Sequence, residues 1–377
     1  MRKDSCARAV NLVGHPYAPI GMGEHVRCTY RAMRSVMCSP GLVDIYNLNQ
    51  AEADDSLEFA ASITTSPADI NIFHINGNEV DQAMAHLDAQ KRWNGYQVIY
   101  PAWELSRYPA EWAEKLERFD EIWAPSIFIQ DAIKASCRKP VLHMPLACDV
   151  VLSSFLSRRY FGLPEHDYTF LFFFDTRSFV ARKNPFAVIE AFQEVLKARP
   201  YAKARLVIKI NGADIMPQAV VDIMNSIEAI SDHVSVISHA MTDNEAKNLV
   251  RNCDCFVSLH RSEGFGRGLA EAMVLGKPVI ATAYSGNMDF MNEMVSLPIT
   301  FSLIPLLEGE YPQWQQQVWA NPNVADAARK MIELLASPQT GRALGRNARM
   351  HMQNLFSYSA AGLRYQRRLD EISGQIQ

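Results

Sequence analysis

The sequence predicts an α/β protein made of two doubly wound, Rossmann-like domains, and three observations carry that expectation. Short β-rich runs alternate with helical patterns along most of the 377 residues, the order expected when crossover helices cover a parallel sheet. The chain is too long for one ordinary core and suits two domains of roughly 150 to 200 residues each. Between Cys148 and His166 the pattern lapses into a polar stretch with no clear period, "SSFLSRRY", after which a fresh strand begins a second series.

Taken in order, the first half offers strands at "RAVNLVG", "LVDIYNL", "DINIFHI", "YQVIYPA", "DEIWAP" and "PVLHMPL", most of them separated by helical stretches. The second series runs through "YTFLFFFD", "ARLVIKI", "HVSVIS", "CFVSLH" and "KPVIAT". From Asn323 onward the sequence reads as helices only, ending in "FSYSAAGLRYQRRLDEI", which is expected to cross back onto the first domain. The expected division is therefore residues 1–160, 161–355 and a C-terminal helix over 356–377. Two such domains facing one another would put an active site in the cleft between them.

Composition narrows the function classes. No run approaches the ~18 apolar residues of a membrane span, since the longest, "FLFFF", is strand-sized. The N-terminus is basic at first, but it lacks a small-residue cleavage pattern, so a cytoplasmic chain is expected. A formal net charge of -4 gives no global attraction to nucleic acid. Seven cysteines, an odd number with no CxxC pair, are read as reduced and buried rather than as a disulfide framework or zinc site. Asp54 and Asp55 lie in a polar stretch rather than after a strand, so no metal-binding acidic pair is expected.

Two strand–loop–helix units carry the chemistry. In "HRSEGFGRGLAEAMVLGKPVIAT" a glycine-rich loop leads into an apolar helix that stops at Gly276. Ligands of such units sit beyond the carboxyl ends of the strands, where helix N-termini present backbone N–H groups to an anion. Gly264, Gly266 and Gly268 would let a phosphate or sugar approach closely. Glu263 on the loop and Glu271 about one turn into the helix can point into one cleft, and carboxylates suit sugar hydroxyls. The bland alternative is a solvated loop charge and a helix-dipole complement.

The other unit is "FFFDTRSFVARKNPFAVIEAF". Asn184 is expected as N-cap and Pro185 as first helical residue, with Phe186, Ile189, Phe192 and Leu196 as the apolar stripe. Arg177 and Lys183 flank the loop before this helix and Arg182 adds a third cation, a plausible diphosphate clamp. Arg27, Arg31 and Arg34 form a basic stripe at helical spacing, read either as a solvated face or as a surface for anionic lipid or an acceptor phosphate.

With Glu263 and Glu271 inside "EGFGRGLAEAM", and Arg177 and Lys183 ahead of a helix, the chain resembles glycosyltransferase family 4, the retaining enzymes of GT-B fold. The stretches "ARKNPFAVIEAF" and "YSGNMDFM" resemble bacterial members that build surface polysaccharides. The resemblance implies that Arg177 and Lys183 meet the donor diphosphate, Glu263 the donor sugar and Glu271 the ribose, and the third cation, Arg182, is expected against the donor beside them. It places the rest of the loop, Gly264, Phe265, Gly266, Arg267 and Gly268, against the donor. It also implies that "GHPYAPIGMGEHVRCTYRAM" brings Gly21 and Gly23 towards the donor phosphate and the acceptor. Where many members carry an active-site histidine, "VIYPAWELSRYP" offers Glu104, which leaves Glu104 and His74 as candidates to face the reacting carbon.

The implied reaction is transfer of a hexosyl group, mannosyl among the options, from a GDP- or UDP-sugar to a hydroxyl of a glycan or lipid-linked acceptor. That reading needs no metal or resident cofactor, and it allows peripheral contact with the inner face of a membrane during polysaccharide or lipopolysaccharide synthesis. Two alternatives stay open. One is a nicotinamide-dependent oxidoreductase, with "GFGRGLA" forced into a dinucleotide turn and Asp289 or Glu293 as its acid. The other is an inactive partner subunit that binds nucleotide.

Overall fold

The computed structural model describes residues 6, 8–46, 56–90 and 93–376. Its strands are β1 (Val10–Gly14), β2 (Gly41–Asp44), β3 (Ile70–Phe73), β4 (Tyr96–Ile99), β5 (Glu121–Ala124), β6 (Val141–His143), β7 (Tyr168–Asp175), β8 (Ala204–Asn211), β9 (Val234–Ile237), β10 (Cys255–Ser258), β11 (Val279–Thr282), β12 (Leu297–Ile299), β13 (Phe301–Pro305) and β14 (Val318–Pro322). The helices are α1 (Gly21–Ser35), α2 (Ser56–Ala60), α3 (Val80–Gln90), α4 (Ala110–Leu116), α5 (Ile127–Lys134), α6 (Val180–Lys183), α7 (Pro185–Ala198), α8 (Pro217–Ser226), α9 (Asp243–Asn252), α10 (Arg267–Val274), α11 (Val324–Ala336), α12 (Pro338–Leu355) and α13 (Tyr358–Gln375). The expected strand "LVDIYNL" is shorter than read, and its end lies with Asp54 and Asp55 outside the described residues.

The chain forms two compact units, Met1–Asp149 with Asn354–Gln377, and Val150–Gln353. The first division thus falls before residue 160, because residues just after 150 are tied to α9: Ser153 N and Leu156 N donate to the Asn244 and Asn248 side chains at 2.9 and 3.0 Å. The second unit's sheet has the order β12-β11-β10-β7-β8-β9, every neighbouring pair parallel. Alternate residues of "FLFFF" explain its core. Phe170, Phe172 and Phe174 are buried with Val188, Ile189, Phe192 and Val195 of α7, while Phe173 turns to the other face and meets the Phe256 ring at 5.0 Å. Phe186, expected in that stripe, is instead 42% exposed. It stands in the first turn of α7, three residues before the buried Ile189, so helical spacing alone does not set its burial. The hairpin of β13 and β14 was not legible as strands in the sequence.

In the first unit six parallel strands take the order β2-β1-β3-β4-β5-β6. The strands β1, β3 and β5 are buried along their whole length, as expected where helices cover both faces. His74, just after β3, has no exposed surface and packs against the His25 and Tyr100 rings at 4.8 and 5.5 Å. Burial drives its pKa down to about 3, so the ring is neutral. The cysteine reading needs correction. Cys6 and Cys38, the latter just past the end of α1, form a disulfide with Cα atoms 5.2 Å apart, and Cys137 is only partly buried. The basic stripe on α1 is also not a continuous cationic face. Arg27 pairs with Glu24 at 2.8 Å and Arg31 with Glu58 at 2.9 Å, leaving Arg34 with a hydrogen bond to Ser39.

The C-terminal helix α13 belongs to the first unit and lies against α1. Tyr365 is buried, stacks on Trp123 at 5.6 Å and donates its hydroxyl to Pro145 O at 3.1 Å. Beside it, the fully buried Glu121 carboxylate pairs with Arg368 and accepts from Trp123 Nε1 at 2.6 Å and Tyr96 Oη at 3.2 Å. Removing one member of a buried pair leaves an uncompensated charge and costs on the order of 3–5 kcal/mol. Arg368→Ala should therefore lower the thermal midpoint of the first unit by several degrees, whereas Glu121→Gln with Arg368→Met should recover most of it. Equal losses in both variants, measured by circular dichroism melts, would show that packing rather than charge holds the helix.

Candidate active site

In the second unit the sheet order runs outward in one direction from β7 to β9 and in the other from β10 to β12. The order therefore reverses between β7 and β10. Loops leaving the carboxyl ends of these two strands go to opposite faces and open a crevice, the position where open α/β sheets bind ligands. Both sequence units singled out above begin there, one on β7 and one on β10.

At the mouth of β7, Asp175 accepts from Arg177 N at 2.9 Å, from Arg177 Nε at 2.9 Å and from Nη2 at 2.6 Å. Burial alone would raise the Asp175 carboxyl, but the Arg177 hydrogen bonds and charge and the Lys183 charge bring it below its ordinary value. The Arg177 side chain stays 46% exposed. The one-turn helix α6 then carries Arg182 and Lys183. Asn184, expected to cap α7, instead sits in the left-handed region at φ 53° and makes no side-chain cap. Its Nδ2 donates to Leu259 O at 2.9 Å and ties this loop to the end of β10. Pro185 does occupy the first turn of α7, where its fixed φ suits the helix and its missing N–H is not needed.

At the mouth of β10, Glu263 receives Lys183 Nζ on Oε1 and Arg182 Nη1 on Oε2, the latter at 3.2 Å. Its side chain is 13% exposed. Burial pushes the carboxyl up, yet Lys183, Arg182 and the neighbouring His260 outweigh that and hold it at about 2. Arg182 differs from the exposed clamp residue read in the sequence. It is 4% exposed, and it donates to Ser178 O at 3.1 Å and Ser262 O at 2.9 Å besides Glu263. It ties one loop to the other from beneath. Two cations facing one carboxylate leave these three side chains with net positive charge, which suits an anionic ligand.

A third loop, between β11 and β12, supports Glu263 from behind. Ser285 Oγ accepts Glu263 N at 2.7 Å, and Gly286 N donates to Glu263 O at 2.9 Å. Ser285 adopts φ 75°, a conformation unusual for a residue with Cβ and held by the packing around it. His260 is buried, and burial lowers its pKa to about 4 despite the nearby Glu263 charge. Asn287 Nδ2 donates to Thr282 O at 3.0 Å, so Asn287 Oδ1 accepts from His260 Nε2 at 3.1 Å. The neutral ring then accepts at Nδ1 from Ser258 Oγ at 3.1 Å. Sequence reasoning named none of Asp175, His260, Ser285 or Asn287 as site residues. The signal was in "DTR" at a strand end, in the histidine that opens "HRSEGFG" and in "YSGNMDFM".

The glycine loop is partly a packing device. Gly266 holds φ 91° as the residue before α10, a conformation that favours glycine. A Cβ on Gly268 would lie 2.7 Å from the Phe173 ring, so this glycine sets the approach of α10 to β7 rather than that of a ligand. Phe265 is likewise turned inward, against the Phe290 ring at 5.2 Å. Gly264 is buried on the loop, while Arg267 and Glu271 are half-buried on α10. The remaining sequence candidates lie in the first unit. Gly21 is exposed at the start of α1, and Gly23 is buried where a Cβ would fall 2.1 Å from Ala18 O. Glu104 is half-buried after β4, and the enclosed His74 presents no surface to a substrate. The nicotinamide alternative fails on topology. A dinucleotide fold carries its glycine turn after the first strand of such a sheet, but here β7 leads into "TRSFVARKN", which has no glycine.

Comparison with known proteins agrees with this architecture. The structure of Alr3699/HepE from Anabaena in complex with UDP and glucose is similar over 97% of this chain and 100% of that one, with a TM-score of 0.68 and 14% identity. Sucrose-phosphate synthase from Thermosynechococcus elongatus is similar over 98% and 100%, with a TM-score of 0.67 and 16% identity. The two parallel-sheet units are those of a GT-B fold. A D-inositol 3-phosphate glycosyltransferase from Segniliparus rotundus is 25% identical over 178 residues, 47% of this chain, and the match spans only 35% of that relative's length. Residues 158–351, which hold the β7 and β10 mouths, match the family described as glycosyl transferases group 1, and the chain belongs to that family.

Proposed function

We propose that the chain is a retaining glycosyltransferase that moves a hexosyl group from a nucleotide-sugar to a hydroxyl of a glycan or lipid-linked acceptor, in the synthesis of a polysaccharide. The observation that carries the reading is the convergence of Lys183 and Arg182 on Glu263 at the switch point of the second sheet. In this reading the second unit binds the donor and the first the acceptor. The bound UDP and glucose of the Anabaena protein make a UDP-sugar the donor to test first. Peripheral membrane contact finds little support, since Arg27 and Arg31 are engaged in ion pairs within the chain.

Breaking the bond between sugar and diphosphate builds negative charge on the leaving group. Arg177 on its exposed side chain and Lys183 beside Glu263 supply positive charge at the crevice, and charge placed in advance usually contributes more to such catalysis than any other single effect. That role is one a divalent cation would otherwise fill. Glu263, ionised and fixed, is able to accept hydrogen bonds from sugar hydroxyls, and Glu271 on α10 is assigned to the ribose.

Three outcomes test the reading. Glu271→Ala should weaken binding of the nucleoside diphosphate, followed by isothermal titration, without shifting the melting curve; unaltered affinity would take Glu271 out of the site. Turnover of the nucleotide-sugar should persist in excess EDTA, and a loss restored by Mg²⁺ or Mn²⁺ would overturn the metal-free mechanism. Lys183→Ala should lower kcat on the order of 100-fold while donor affinity falls much less, because a cation beside a growing charge gains most in the transition state. If KM alone rises, Lys183 docks the donor and does not stabilise the leaving group.

A further inference from the structure

The residues between β12 and α11 are not explained by donor binding. They form the β13–β14 hairpin, whose connecting segment returns to the floor of the site. Tyr311 in that segment is buried, lies 5.9 Å under the Arg182 guanidinium and meets the Phe179 ring at 4.7 Å. Arg182 and Phe179 both belong to the loop that leaves β7. The hairpin also grips the other loop, since Arg261 donates to Glu310 at 3.2 Å, covers the Trp319 ring at 5.1 Å and accepts Ala320 N on its carbonyl at 2.9 Å. A direct link closes the circuit, Arg261 N to Arg182 O at 2.8 Å. Arg182 thus has Glu263 above it and an aromatic face below.

We propose that Arg182 and Tyr311 are positioning residues for Glu263, and that the hairpin is the part of this fold that sets the carboxylate against the donor sugar. A guanidinium with three acceptors in different directions can satisfy them only in one orientation, and a ring face beneath it fixes the plane without competing for its N–H groups. Without the ring, the guanidinium has room to tilt, and Glu263 would then follow the more mobile Lys183. The donor sugar would lose an accurately placed acceptor, whereas the nucleotide, in the reading above, would keep Glu271 at its ribose and Arg177 and Lys183 at its diphosphate. The inference rests on that reading for its link to catalysis, but its mechanical part stands on the hairpin contacts alone.

The test uses Tyr311→Ala, Tyr311→Phe and Arg182→Lys in the full chain, with two readouts. Hydrogen exchange of the peptide spanning residues 259–266 should quicken at least tenfold in Tyr311→Ala and in Arg182→Lys, and stay at the wild-type rate in Tyr311→Phe, which keeps the ring. With UDP-glucose as probe, kcat for donor hydrolysis should fall about tenfold or more in the same two variants. The Kd for UDP should stay within about twofold, and Tyr311→Phe should match wild type. Should Tyr311→Ala fail to fold, Arg182→Lys carries both measurements, since it keeps the charge and loses the fork. Wild-type exchange in that loop together with wild-type kcat would overturn the proposal. If the wild-type chain neither binds UDP nor hydrolyses UDP-glucose, the choice of donor is what fails, and the exchange measurement still decides whether the hairpin positions Glu263.

Discussion

Glu263 is held by Lys183 on one carboxylate oxygen and Arg182 on the other, and those two cations outweigh the cost of its burial. Its partners come from the β7 loop while it stands on the β10 loop, so the pairing joins two segments some eighty residues apart in the chain. Parallel pairing of β7 with β10 brings those loops side by side, but it does not fix their tips. The ion pair and the bond from Asn184 to Leu259 do that. Because an uncompensated charge in such a place is costly, drawing the two mouths apart would leave Glu263 buried without its partners. The strained Ser285 and the neutral His260 act on the same carboxylate from the third side, one through Glu263 N and one through the loop that carries it.

The topology explains why the loops need so much support. A switch point is a place where the chain diverges to both faces of the sheet and opens a crevice whose floor has to be filled by side chains. Here the floor is filled by aromatic rings, Phe173 against Phe256 and Phe179 against Tyr311. Rings fill volume with little rotamer freedom to lose. Gly268 is the counterpart of that choice, since only a residue without Cβ lets α10 close down on Phe173. The loop glycines therefore divide their work between packing the helix and turning the chain into it.

Much of this was legible in the sequence because buried parallel strands are continuous apolar runs and their helices are amphipathic. The strands β7, β8 and β10 and the helix starting at Pro185 stand where the patterns put them. The motif residues Arg177, Lys183 and Glu263 fall at one switch point for the same reason, since each follows a strand that the pattern locates. What was missed depends on contacts distant in sequence. Nothing next to Arg182 distinguishes it from Lys183, and only the fold shows one guanidinium beneath the loop and one ammonium at its edge. The hairpin escaped notice because β13, "FSLIP", is mostly exposed and its partner lies beyond a polar, glutamine-rich stretch. Cys6 and Cys38 looked like two of an odd set of reduced thiols, and only the course of the chain past the end of α1 makes them a pair.

The states of the titrating groups say which kind of chemistry the second unit is able to supply. His260, the histidine nearest Glu263 in the chain, is buried and neutral down to about pH 4, and both its nitrogens are engaged. Glu263 stays ionised down to about pH 2. Arginine does not deprotonate in proteins, so Arg177 and Arg182 keep their charge throughout. None of these groups changes protonation near neutral pH, which is what a general acid or base has to do. The β7 and β10 mouths are therefore a fixed pattern of charge. For the proposed transfer such a pattern suits the departing diphosphate, whose charge grows as the bond breaks. The proton lost by the acceptor hydroxyl then has to go to a group other than these, a phosphate oxygen of the leaving diphosphate among the options. His74 in the first unit is a poor receiver, because burial that lowers its pKa to about 3 makes taking up a proton unfavourable.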